Sequence, residues 1–155
     1  MLIDTPAQQV GTAGLVLVCS LAFWKGAKAD KVGALVIAVT WLATPFVERR
    51  GSWYEPQYGI LLMDSLTLIG LVAVALVYHR RWPICGAAFQ TFSVLTHLAF
   101  VVNPHALYRA YFYADFSMGF LLLGSLFAGV LIEPRDRPSP SQVQPLDRPR
   151  ERRPA

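Results

Sequence analysis

Three ionisable residues, Asp64, His97 and Asp115, each fall inside a long apolar run of this chain. An ionisable group at that depth in a membrane is costly, so it normally faces protein, pairs with another polar group or performs a task. An imidazole between two carboxylates supports three kinds of chemistry. It forms a hydrogen-bonded ion pair that holds helices in register; it relays protons, because its titration lies near neutral pH; or, if the three residues converge, it ligates a metal such as zinc or manganese. Structural pairing is the commonest of these roles for a buried charge.

Spacing groups further polar residues with the three. Gly86, Gln90, Ser93 and His97 are separated by four, three and four residues, the interval that lines up one face of a helix. Tyr108, Tyr111 and Asp115 share a face in the same way. Depth follows from helix rise. Asp64 lies six residues from the start of its run and His97 six from the end of its own, about 9 Å in. Asp115 lies eight residues in, about 12 Å. The candidate polar cluster is therefore Asp64, His97 and Asp115 with Gln90, Ser93 and Tyr111, in one layer and from three helices.

The elements that carry these residues are membrane helices. The chain is 54% hydrophobic and only 15% charged, and its longest apolar run, YGILLMDSLTLIGLVAVALVYH, is of spanning length. The expected fold is all-α, a polytopic transmembrane bundle over residues 1–132 with five spans at about 7–24, 32–47, 58–79, 82–103 and 107–132. Lys25, Lys28 and Lys31 mark a polar hinge between the first two spans, and the second span is the shortest. Pro45 sits near the end of that span, where a stop costs little. Gly11 and Gly14, and the pairs Gly124-x-x-x-Ala128 and Ser125-x-x-x-Gly129, are packing positions of small residues.

Charge placement orients the bundle. With the N-terminus outside, Lys25, Lys28, Lys31, Arg80, Arg81 and six arginines beyond residue 133 lie inside, against Arg49, Arg50 and Arg109 outside. That asymmetry predicts N-out, C-in. Residues 133–155 are rich in Pro and Arg and nearly devoid of apolar side chains, which predicts a disordered, solvated cytoplasmic tail. Cys19 and Cys85 both lie in apolar segments, where burial in lipid or protein accounts for them better than a disulfide.

Several function classes are excluded as expectations. No G-x-S-x-G, H-E-x-x-H, C-x-x-C or G-x-G-x-x-G motif is present, so no enzyme is predicted. No cofactor is predicted. Haem is disfavoured because His79 and His105 lie near opposite ends of their segments, away from the level of His97; Met63 and Met118 are nearly level with it, but methionines in helices usually serve packing. Nucleic acid is not expected as a partner, since no folded basic surface interleaved with aromatics is evident. The expected partners are membrane lipids and either other membrane subunits or further copies of this chain. The primary expectation is a non-enzymatic accessory or assembly subunit of a larger complex in a bacterial inner membrane. The alternative is a small transporter, channel or proton-coupled site built on the Asp/His/Asp cluster, and a membrane-permeabilising protein ranks below both.

Overall fold

The computed structural model describes the backbone of residues 6–47, 57–102 and 104–133, and side chains in the stretches 9–47, 57–102 and 113–133. Five helices follow one another: α1 (Pro6–Lys25), α2 (Lys28–Val47), α3 (Tyr58–Tyr78), α4 (Trp82–Val102) and α5 (Pro104–Ile132). No strand occurs among the described residues. Four of the helices are long and apolar enough to cross a membrane, and only 17% to 28% of each such span is buried inside the bundle. Outward-facing Leu17, Ile69, Leu76, Ile84, Phe92 and Leu131 cover much of the remainder. Apolar surface on that scale matches lipid as solvent and would drive association in water. The chain is therefore an integral membrane protein. The described apolar part of α1, Gln9–Lys25, is shorter than the other four spans.

The helix boundaries correct the sequence reading at two places: α5 starts at Pro104 instead of about residue 107, and the start of α2 moves further. The lysine-rich hinge shrinks to Gly26 and Ala27, and α2 starts at Lys28 instead of residue 32, so it is 20 residues long and not a short span. The reason is local. Asp30 Oδ2 accepts the Ala27 backbone N–H at 2.8 Å, satisfying a donor at the helix start and placing a negative charge in the first turn. Pro45 is accommodated within the last turn of α2. At the other end of the fold α3 stops on His79, whose φ of 52° is left-handed and whose N–H donates to Ala75 O at 2.9 Å. That cap reverses the chain so that α4 can begin at Trp82. The expected orientation, the 48–56 connector and the tail beyond residue 133 lie outside what the described residues address.

Each helix packs against its neighbours in chain order, α1 returns to α5, and α2 touches α5 across the middle. The antiparallel pair α4/α5 has a clear register: Gly129 lies opposite Trp82, and Leu122 and Ser125 lie opposite Gly86. On the α2/α3 pair, Gly70 faces Val36, and the Thr67 hydroxyl donates to Thr40 Oγ1 at 2.8 Å. The core comprises Ile37, Leu71, Trp82, Leu122 and Leu126 with Ala22 and Ala34.

Small residues decide how closely the helices approach. The Trp82 indole is wedged between Gly33 of α2 and Gly129 of α5, where an added Cβ would come within 2.3 Å of the ring on either side. Gly11 packs against Trp41, and Gly14 against Leu123. Of the two small-residue faces on α5, only the one carrying Gly129 meets another helix closely; Gly124 has nothing within 4 Å of its added Cβ. Cys19 is buried and Cys85 exposed, and both are free thiols.

Candidate intramembrane site

The up-and-down order of α3, α4 and α5 brings the first half of α3, the second half of α4 and the middle of α5 to one level. The stripe residues Gly86, Gln90, Ser93 and His97 are all buried along one face of α4, and Trp82 and Phe100 extend that buried face at its two ends. A continuous helix with its polar groups turned inward hides them from lipid, the arrangement such residues require.

Asp64, His97 and Asp115 converge there. His97 Nε2 lies 2.9 Å from Asp64 Oδ2 and 3.7 Å from Asp115 Oδ1. One ligand atom from each of the three falls within 4.8 Å of the others. Ser93 joins the group: its hydroxyl donates to Asp64 Oδ2 at 2.9 Å and also contacts Asp115 Oδ1 closely. The imidazole side chain is 3% exposed, whereas Asp64 is 20% and Asp115 34% exposed. The histidine is thus the deep member, and the carboxylates form the more open side. Gln90 is buried on the same stripe about one turn nearer the Trp82 end of α4. The side chain of Tyr111 lies outside the described residues.

The electrostatics of this group are unbalanced. Two carboxylates face one imidazole and one hydroxyl, and residues 82–102 and 110–132 contain no Lys or Arg. A serine hydroxyl has a single hydrogen to donate, yet Ser93 Oγ touches both carboxylates. With both aspartates ionised, the described residues of this group stay net negative even if His97 is charged. A proton or a cation between the carboxylates relieves both the charge and the hydrogen-bond deficit.

A second polar cluster, near the lysine-bearing connection between α1 and α2, escaped the sequence reading. Arg80 Nη2 donates to Asp30 Oδ2 at 3.1 Å, and Arg80 Nε lies 3.3 Å from Glu133 Oε2. Trp82 Nε1 donates to Asp30 Oδ1 at 2.7 Å. The backbone N–H groups of Arg81 and Trp82 donate to Glu133 Oε1 at 2.9 and 3.1 Å, so Glu133 caps the start of α4. The side chains of Asp30, Arg80 and Glu133 are 1%, 5% and 10% exposed. In the sequence Asp30 falls within the polar lysine hinge, Arg80 among the charges that set orientation, and Glu133 at the head of the tail. The signal that could find them is equal depth, the criterion that groups Asp64, His97 and Asp115, applied to opposite charges at the helix ends. This cluster locks the first turn of α2, the α3–α4 connection and the end of α5 to one another.

No family model matches the chain, and no curated protein or solved structure is similar to it.

Proposed function

We propose that this chain is a small multi-pass membrane protein that binds a cation, a proton or a metal ion, within the membrane and acts as a small transporter or ion-coupled unit. The observation that carries this reading is the meeting of Asp64, His97 and Asp115, each from a different helix, in a layer with no basic side chain in the adjoining stretches of α4 and α5. Two carboxylates that share one imidazole, with no Lys or Arg in the described side-chain stretches of α3, α4 and α5, favour a site made to receive positive charge. Asp64 and Asp115 are less buried than His97, so the carboxylates are the members of the group nearest the bundle surface. The Lys/Arg asymmetry supports an approach from outside, with the Arg80 end facing a bacterial cytoplasm.

The test is proton and divalent-cation flux into reconstituted vesicles, followed with entrapped dyes. Asp64→Asn and His97→Ala each reduce flux to the protein-free background in protein that remains folded and monodisperse in detergent. Unchanged flux would return the three residues to a purely structural ion pair.

The accessory-subunit reading is second, and one observation favours it. At the level of Gly86 and toward Arg80 the bundle is filled by Leu71, Trp82, Leu122 and Leu126, all buried, so a through-route calls for helix movement or a partner. Affinity purification from native membranes in mild detergent, with intact-mass analysis, separates the readings: a stoichiometric foreign subunit supports the accessory role, and a lone homo-oligomer supports the site.

A further inference from the structure

We infer that Asp64, His97 and Asp115 are the ligands of one divalent first-row transition-metal ion, held through His97 Nε2 and one oxygen of each carboxylate. This rests on the reading of the site as a cation-binding centre and names the class of cation.

Geometry supports it first. Metal–ligand bonds of about 2.1 Å in a tetrahedral site place ligand atoms about 3.4 Å apart. The two separations from His97 Nε2, 2.9 and 3.7 Å, bracket that value, and all three ligand atoms lie within 4.8 Å of one another. Three protein ligands leave the fourth position to water or an incoming group, the pattern of an exchangeable site and not of a sealed one.

Charge decides the valence. Two ionised aspartates and a neutral imidazole sum to minus two, which one divalent ion cancels. A monovalent ion leaves the layer negative, and a trivalent ion makes it positive.

Donor type narrows the element. Calcium takes six to eight oxygens, and magnesium keeps most of its waters in an octahedron, so a buried imidazole suits neither. Copper(I) selects thiolate and thioether, whereas the three converging side chains, Asp64, His97 and Asp115, offer nitrogen and oxygen only. One nitrogen and two carboxylate oxygens suit zinc, manganese or iron(II). Ser93 acts as a positioning residue, since its hydroxyl reaches both carboxylates and aims their remaining lone pairs at His97.

The experiment uses the full chain in lipid nanodiscs, purified on a histidine-free tag and stripped with chelator. Zn2+ is titrated calorimetrically, and Co2+ serves as a spectroscopic probe. His79 and His105, the only other histidines, are replaced by alanine as a control. The expected result is one equivalent bound per chain, with the visible d–d bands of four-coordinate Co2+, unchanged in the control. Asp64→Asn, Asp115→Asn and His97→Ala abolish those bands. Ser93→Ala weakens binding by about 10- to 100-fold and leaves the bands in place.

A parent protein that takes up no metal overturns the assignment, whatever the variants do. So does uptake that persists undiminished in the Asp64→Asn/His97→Ala double variant. If metal uptake fails while vesicle proton flux still depends on Asp64 and His97, only the metal assignment falls. If flux is also indifferent to them, the cation-site reading falls with it.

Discussion

Arg80→Ala lowers the stability of the bundle by about 3–5 kcal/mol in a detergent unfolding titration. Removing the guanidinium leaves Asp30 and Glu133 as buried, uncompensated carboxylates, with side chains only 1% and 10% exposed. Both are tied elsewhere, Asp30 to Trp82 Nε1 and Glu133 to the N–H groups of Arg81 and Trp82, so neither can turn outward without breaking those bonds. Arg80→Lys restores little. A single ammonium cannot reproduce the fork that meets Asp30 through Nη2 and Glu133 through Nε. Combining Arg80→Leu with Asp30→Asn costs less than the sum of the two changes, because each removes part of the other's penalty. A loss below about 1 kcal/mol for Arg80→Ala would mean that the cluster behaves as a solvated surface pair.

Gly129→Ala and Gly124→Ala, five residues apart on one helix, have opposite effects. At position 129 the new methyl would lie 2.3 Å from Trp82 Cδ1, 2.4 Å from Cγ and 2.7 Å from Cβ. Those atoms include the root of the indole, so relief requires moving α4 itself. The cost is about 1–3 kcal/mol, typical of overpacking. At position 124 nothing lies within 4 Å, so alanine is neutral or gains up to about 1 kcal/mol from helix propensity. Gly33→Ala is intermediate, since it meets the far edge of the same ring at Cη2 and Cζ2. The unfolding titration used for Arg80 ranks all three, and equal stability of Gly129→Ala and Gly124→Ala would show that Trp82 is not the wedge between α2 and α5.

Much of this architecture is visible in the residues themselves. Apolar runs of spanning length leave little choice but membrane helices, and depth along a helix is a linear function of residue number. Asp64, His97 and Asp115 could therefore be assigned to one layer, and the interval pattern of Gly86, Gln90, Ser93 and His97 marked the buried face of α4. Helix ends were less legible. The start of α2 moved to Lys28 because a single aspartate bonds back to Ala27 N–H, a contact that outweighs the polarity of the surrounding lysines.

Rotation about each helix axis and the order of neighbours are different in kind, since no residue count contains them. They follow from which small residues admit which large ones. Trp82 between Gly33 and Gly129 sets how α2, α4 and α5 turn toward each other, and Leu71 and Leu122 against Gly86 do the same for α3, α4 and α5. Composition could place three ionisable groups at one depth; close packing alone made them neighbours, with Ser93 between the carboxylates. It likewise drew Asp30, Arg80 and Glu133 out of what read as hinge, topology charge and tail into one buried network. A charge's position in the chain specifies how deep it sits, and only the packed bundle specifies what it faces.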